Sequence, residues 1–258
     1  MNKKIRNILA QVIFILAVLV LWQVLYSMEI WPKLLFPSLK SIGQAFITAF
    51  AEKELAVMVL HSLSLILKGL VIGILLALIF SSLSVISETF YAIYNMIVSM
   101  FDLIPGIALI PVAILWLGVG DNSIIFMVIH SVVWPMSRSI IDGFNAVPKL
   151  YLEVGQNIGL NPVRLVFGVF LPAALPRIFS GIKVGWARAW RGLISAEMIF
   201  GGGGALGIGY FIQDRRTQTD ISGVFATIIV IVIIGLIVEY GIFRTIENKT
   251  FKKWGMTR

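Results

Sequence analysis

The chain has 258 residues, of which 59% are hydrophobic and only 13% are charged, whereas roughly a quarter of the residues in a soluble domain carry charge. This composition predicts an integral membrane protein. The net charge of +8 does not indicate nucleic-acid binding, because the basic residues cluster beside apolar runs. With no cysteine and two histidines, the chain cannot form disulfides or thiolate sites, and a metal site built by the protein is not expected.

Six apolar runs predict six membrane-spanning helices. The first is as long as a full span, and Tyr26-Ser27-Met28 is a poor cleavage site, so we predict a retained first helix rather than a signal peptide. The third is interrupted by Pro105-Gly106 and Pro111, which predicts a kinked helix. The predicted spans cover residues 8–26, 63–86, 91–117, 123–141, 182–200 and 221–243.

Two segments between the runs are expected on the outer surface. Within residues 28–56, the stretch from Leu39 to Phe50 predicts a short amphipathic helix. Residues 201–220 are expected to form an outer loop. Its Gly202, Gly204 and Gly207 satisfy G-x-G-x-x-G formally, but no strand precedes them, so a close-packed loop is a better interpretation than a dinucleotide site.

The distribution of Lys and Arg predicts the orientation of the spans. Thirteen belong to the N-terminal segment, the segment around the connection of spans four and five, and the C-terminal tail: Lys3, Lys4, Arg6, Arg138, Lys149, Arg164, Arg177, Lys183, Arg244, Lys249, Lys252, Lys253 and Arg258. The presumed outer segments contain five: Lys33, Lys40, Lys53, Arg215 and Arg216. The positive-inside rule therefore places both termini in the cytoplasm.

The connection between spans four and five is a polar-edged insert. Lys149 to Ile158 predict an amphipathic helix with Leu150 and Val154 on one face. Gly159 is expected to end it, and Asn161-Pro162 to begin a second short helix as N-cap and first helical residue. Such a helix–turn–helix fits a groove on a soluble protein. The alternative is an interfacial loop that touches only lipid headgroups.

The spacing within this insert is that of a known motif. In order it contains Glu153, Val154, Gly155, three residues, Gly159, nine residues, Val169, one residue, Leu171 and Pro172. This resembles, position for position, the cytoplasmic signature of bacterial ABC importer permeases, which is Glu-Ala-Ala, three residues, Gly, nine residues, Ile, one residue and Leu-Pro. Here Val154 and Gly155 replace the two alanines and Val169 replaces the isoleucine.

Three further segments narrow the resemblance to one branch of these permeases. They are IPVAILWLGVGDNS (residues 110–123), GWARAWRGLISAEM (185–198) and GALGIGYFIQDRRTQTD (204–220). They are similar to permeases for taurine, alkanesulfonates, nitrate, bicarbonate and related small anions, and some members of the branch import thiamine precursors or riboflavin. The resemblance implies an all-α membrane protein of the type I ABC importer permease fold. Residues 1–56 would form the first helix and outer amphipathic segment, and residues 57–258 the permease core, with a coupling loop near 146–177.

The resemblance also implies partners and coupling residues. We expect a homodimer in the bacterial inner membrane, with two ATPase subunits below it and a substrate-binding protein or lipoprotein above. No P-loop pattern occurs in the sequence, so ATP and Mg would be used by the separate ATPase; the chain would need no cofactor of its own and would not be an enzyme. The residues expected to couple to the ATPase are Glu153, Gly155, Gly159, Leu171 and Pro172.

Charged and polar residues in span five are candidates for the translocation path: Arg188, Arg191, Ser195 and Glu197. Arginine is costly inside a membrane and usually faces a partner or a water-filled path, and its guanidinium group suits the oxygens of sulfonate, nitrate and carboxylate. The alternative is a structural pairing of the arginines with Glu197, Asp102 or a backbone carbonyl. Lys68, Asp102 and His130 are interpreted as structural or interfacial residues.

The predicted function is therefore the permease subunit of an ATP-driven importer of a small anion, working by alternating access. An importer of a vitamin precursor on the same scaffold is the alternative within the family. An ion-coupled secondary transporter would need coupling charges in its spans and no docking helix for an ATPase. A membrane-embedded enzyme is disfavoured, because no catalytic cluster of His, Asp, Glu or Ser occurs at a meaningful spacing in the spans.

Overall fold

The structure is a computed structural model that describes residues 3–52, 54–200 and 206–250. These residues form twelve α-helices and, within those ranges, no strand, which confirms the all-α prediction. The helices are α1 (Lys3–Ser27), α2 (Leu39–Ala51), α3 (Glu54–Ile86), α4 (Glu88–Phe101), α5 (Ile110–Leu117), α6 (Asp121–Asn145), α7 (Lys149–Asn157), α8 (Pro162–Leu165), α9 (Leu171–Phe200), α10 (Ile208–Thr217), α11 (Ile221–Leu236) and α12 (Arg244–Lys249). Short π-helical turns, Val166–Phe170 and Ile237–Phe243, join α8 to α9 and α11 to α12.

Among the described residues, five helical stretches are long and apolar enough to cross a membrane: Ile5–Ser27, Glu54–Ile86, Asp121–Asn145, Pro162–Phe200 and Ile221–Lys249. A sixth crossing results if Glu88–Phe101 and Gly106–Leu117, which meet at 93°, count as one broken span. The prediction that the third span is interrupted is thus confirmed. The break lies at Pro105, directly before Gly106. A regular helix cannot continue through this proline, because it has no backbone N–H and its ring is rigid.

Element boundaries differ from the sequence expectation at three places. Helix α9 begins at Leu171, well before the predicted start of span five at residue 182, so the end of the predicted coupling loop is helical. The expected outer loop 201–220 contains helix α10, which forms because Ile208, Phe211 and Ile212 recur at helical spacing and are buried. Gly202 and Gly204 of the formal glycine pattern lie outside the described residues, as do Lys53, Lys252, Lys253 and Arg258. Helix α3 begins at Glu54, so Lys68 lies exposed near the middle of the helix rather than near its start.

The centre of the bundle is built from α3, α6 and α9. On α3, Gly69 and Gly73 are one helical turn apart and face Val128 and Val132 of α6. A methyl group built on Gly69 would lie 2.6 Å from Cβ of Val128, and one built on Gly73 would lie 2.9 Å from Cβ of Val132. This is the close backbone approach that small residues four apart permit between membrane helices. The two glycines therefore set the distance between α3 and α6.

Helix α1 lies at the edge of the bundle. None of the residues in its apolar membrane-spanning window is buried within the chain. It is attached near its C-terminal end by Trp22, whose indole Nε1 donates to the carbonyl oxygen of Pro37 at 3.0 Å. The same ring stacks on Phe36 with centroids 4.2 Å apart and meets Phe225 edge-on at 5.1 Å. Most of α1 is therefore left to face lipid or another chain.

The packing of α3 on α6 leads to a first prediction. Gly69→Ala should destabilise the protein by about 1–3 kcal/mol, because the added methyl group overpacks a well-filled interface. Gly235→Ala is the matched control, since a methyl group there meets no atom within 4 Å. Thermal unfolding of the detergent-solubilised variants measures the difference, and equal melting temperatures for the two variants would contradict the interpretation.

Candidate coupling surface and translocation cavity

The insert between α6 and α9 folds as two short helices in the predicted order. Helix α7 ends at Asn157, and Gly159 follows with φ of 78°, a left-handed conformation that favours glycine. The side chain of Asn161 then accepts a hydrogen bond from the backbone N–H of Arg164 at 2.8 Å, and Pro162 is the first residue of α8. The predicted end of α7 at Gly159 and the predicted N-cap at Asn161 are both confirmed. Each could be predicted from the sequence because it depends on residues only a few positions apart.

Gly155 holds the two short helices together. It is buried, and a methyl group at this position would lie 2.6 Å from Cδ2 of Leu165. The backbone N–H of Leu160 donates to the carbonyl oxygen of Gly155 at 3.0 Å, which closes the turn after α7. The small residue thus lets α7 lie directly against α8.

The outward face of α7 is apolar and uncovered within the chain. Leu150, Val154 and Ile158 are 64%, 51% and 69% exposed, and Glu153 is exposed beside them. Pro172 and Val154 line a shallow groove of about 450 Å³ at the same place. Leu171 lies apart from this groove, in a separate apolar groove with residues of α3. Of the five predicted coupling residues, Gly155 and Pro172 therefore share this groove, and Glu153 and Gly159 lie on α7 and on the turn that follows it.

A second site lies where the third span breaks. It is a cavity of about 420 Å³ between the break, α6 and α9. Its lining includes three of the four predicted path residues, Arg188, Arg191 and Ser195. The remaining lining residues are Phe101, Asp102, Leu103, Ile104, Pro105, Gly106, Ile107, His130, Ser131, Trp134 and Gly192.

The two arginines of the cavity differ in their contacts. Arg188 forms an ion pair with Asp102, and Arg138 of α6 approaches the same carboxylate, with its Nε 3.4 Å from Oδ2. Within the described part of the chain, Arg191 makes no hydrogen bond or ion pair. The sequence left open whether the arginines of span five pair with Asp102. In the structure Arg188 does so, and the Arg191 guanidinium remains available to bind another group.

Glu197 lies away from the cavity. It is fully buried, with one carboxyl oxygen accepting from the Ser62 hydroxyl at 2.6 Å and the other from the Gly209 backbone N–H at 2.9 Å. Ser62 Oγ in turn accepts from the backbone N–H of Ile208 at 2.9 Å. The carboxyl group therefore holds the first turn of α10 to α3 and α9, and the structure does not bring it together with Arg188, Arg191 and Ser195.

Sequence reasoning did not assign three cavity residues to the path. Asp102, interpreted as structural, carries the ion pair, and its side chain is only 13% exposed. His130 and Trp134 also line the cavity, and their ring nitrogens are buried without a hydrogen-bond partner in the described residues. The available signal was the position of Asp102 immediately before the Pro105-Gly106 break, because a charge at a break in a span needs compensation.

These features define a class of protein: an all-helical membrane protein that combines an exposed helical hairpin between two spans with a charged cavity inside the bundle. Residues 69–252 match the family of binding-protein-dependent transport system inner membrane components, and the chain belongs to that family. It is thus a permease subunit of an ABC importer, as the resemblance implied.

Curated relatives support the same class over nearly the whole length. The chain is 28% identical over 250 residues to the nitrate import permease protein NrtB of Synechocystis sp., an alignment that covers 90% of this chain and 86% of the relative. It is 24% identical over 229 residues to the taurine transport system permease protein TauC of Escherichia coli, covering 87% and 82%.

A solved structure has the same fold. The inward-facing MetNI methionine ABC transporter superposes with a TM-score of 0.62 at 19% identity, covering 74% of this chain and 95% of that one. At this identity the likeness concerns the fold alone, and it confirms the predicted type I permease architecture.

The burial of Glu197 leads to a second prediction. Glu197→Ala should destabilise the protein by about 1–3 kcal/mol, because it leaves the Gly209 N–H and the Ser62 hydroxyl without their acceptor. Glu197→Gln should cost less, since its carbonyl oxygen can still accept one of these bonds. Thermal unfolding and protease sensitivity of α10 check this; an alanine variant as stable as the unsubstituted protein would contradict it.

Proposed function

We propose that this permease carries a small anion, such as a sulfonate, nitrate or related organic acid, across the bacterial inner membrane by alternating access. Two copies of the chain would form the path, with an ATPase subunit bound to each α7–α8 hairpin and a substrate-binding protein on the opposite side. The observation that carries the proposal is the Arg191 guanidinium, which lines the cavity beside the break in the third span, belongs to an exposed residue and has no ion-pair or hydrogen-bond partner among the described residues. Guanidinium groups bind the oxygens of such anions through charge-assisted hydrogen bonds.

The surface of α7 supports the docking of an ATPase. Its exposed Leu150, Val154 and Ile158 form an apolar stripe that fits a groove by the helix-in-groove mode, and the adjacent Glu153 can pair with a basic residue there. Because α6 leads into α7 and α9 follows α8, a displacement of the hairpin would act on both helices that wall the cavity. Rigid-body movement of packed helices is the usual form of such coupling.

The relatives support the anion class. NrtB and TauC are described as nitrate and taurine transport permeases, and both substrates carry an anionic group. We infer the same class for this chain, with both termini and the α7–α8 hairpin in the cytoplasm. The excess of Lys and Arg near the hairpin supports that orientation, and so does an even number of crossings if the broken third span counts as one.

The docking proposal predicts a loss of coupling in Glu153→Ala. In the complex purified with the products of the neighbouring genes, ATPase retention or transport-coupled ATP hydrolysis should fall at least ~10-fold, which corresponds to about 1.4 kcal/mol. Glu88→Ala is the control, because Glu88 is also an exposed carboxylate, on α4 outside the hairpin. Equal coupling in the two variants would count against docking through Glu153.

The path proposal predicts that Arg191→Ala abolishes uptake while the complex still assembles. Uptake of taurine, methanesulfonate and nitrate into proteoliposomes is the measurement, and size-exclusion chromatography monitors assembly. Arg177→Ala is the matched control, since Arg177 is an exposed arginine on the same helix outside the cavity. If Arg191→Ala fails to assemble while Arg177→Ala assembles normally, Arg191 has a structural role instead.

A further inference from the structure

The charges that line the cavity do not balance. Its lining contains two guanidinium groups, Arg188 and Arg191, and one carboxylate, Asp102. Since Asp102 forms an ion pair with Arg188, the pair is neutral as a unit. The cavity therefore presents one uncompensated positive charge, on Arg191, about one helical turn from the pair along α9.

The location of Asp102 makes it suited to control this charge. Its side chain is only 13% exposed, and it caps α4 at the point where the third span breaks. Arg138 also approaches it, at 3.4 Å, but Arg138 lies outside the cavity lining and is about half exposed. Charge interactions at such a partly buried position are screened less than on the surface.

We propose that Asp102 determines the specificity of the path: by occupying Arg188, it leaves a single guanidinium for the ligand and selects organic monoanions over dianions. This inference rests on the proposed anion path and adds to it the residue that sets the permitted ligand charge. A second anionic group in the cavity would find no free cation and would face the carboxylate of Asp102. Like-charge contacts of that kind are a common means of excluding the wrong ligand.

The walls of the cavity indicate the rest of the ligand. Phe101, Ile107 and Trp134 offer apolar and aromatic surface opposite the charged groups. The volume of about 420 Å³ falls within the range of roughly 300–1,000 Å³ that is usual for small-molecule sites. The ligand class that fits is one sulfonate-like or carboxylate-like head group on an apolar body.

Two probes that differ mainly in charge test the inference: butanesulfonate and butanedisulfonate. The full complex in nanodiscs is titrated with each, and tryptophan fluorescence reports occupancy because Trp134 lines the cavity. The part of the signal that disappears in Trp134→Phe is assigned to this site. The unsubstituted protein should bind the monosulfonate at least ~10-fold more tightly than the disulfonate, because a second anionic group meets Asp102 rather than a free cation.

Substitution of Asp102 should change this preference in a defined way. In Asp102→Asn the freed Arg188 becomes a second cation, so the preference for the monosulfonate should fall to about threefold or less, or reverse. The double variant Asp102→Asn with Arg188→Gln again has one guanidinium among the residues that line the cavity, because Arg138 lies outside the lining, and it should regain the original preference. If Asp102 had only a structural role, removing Arg188 as well would not restore the preference for the monosulfonate.

Other outcomes separate the two proposals. If Asp102→Asn does not assemble, Arg188→Gln is the second variant, because it leaves the Asp102 carboxylate in the cavity lining without its partner on α9. Binding of both probes should then weaken at least ~10-fold, and unchanged binding would overturn the inference. If Asp102→Asn assembles and its preference for the monosulfonate is unaltered, the inference about Asp102 is also overturned. In that case, loss of probe binding in Arg191→Ala would still support the proposed anion path. Normal binding in Arg191→Ala, or no binding of either probe to the unsubstituted protein, would overturn both.

Discussion

A charge in the interior of a membrane must be paired or reached by water, and the ion pair between Asp102 and Arg188 meets this requirement where the third span breaks. The 93° bend removes regular helical bonding at Pro105 and leaves a gap beside α6 and α9. The ion pair attaches one side of that gap to α9, and Arg138 attaches it to α6. The cavity exists because the break is held open by contacts with two helices rather than closed by apolar packing.

The same two helices connect the cavity to the surface of the hairpin. Helices α6 and α9 approach closely along their length, where Gly143 faces Ala174 and Gly181 faces Ser139. Interfaces packed this tightly move as units, because they have few intermediate arrangements of comparable packing. A displacement of α7 and α8 would therefore reach the walls of the cavity through the backbone of α6 and α9, without requiring a separate chain of side-chain contacts.

The features that the sequence predicted correctly are local ones. The end of α7 at Gly159 and the cap at Asn161 depend on neighbouring residues, and the break at Pro105 depends on proline chemistry. The features that it missed or left open depend on residues far apart in the chain. Glu197 meets Ser62 across 135 positions, and Asp102 meets Arg188 across 86. Helical spacing alone could not show what the side of α9 that carries Glu197 contacts.

Glu197 and Asp102 illustrate how the partner of a largely buried acid limits its role. Glu197 is bound by a backbone N–H and a hydroxyl, groups whose position is set by the fold, so its contacts belong to the packing of α10. Asp102 is bound by guanidinium groups, which bind other anions by the same geometry. A carboxylate of the second kind competes with any anion that enters the cavity. Where such a carboxylate already holds one arginine, as Asp102 holds Arg188, the neighbouring arginine that it does not reach would be the one left for a ligand.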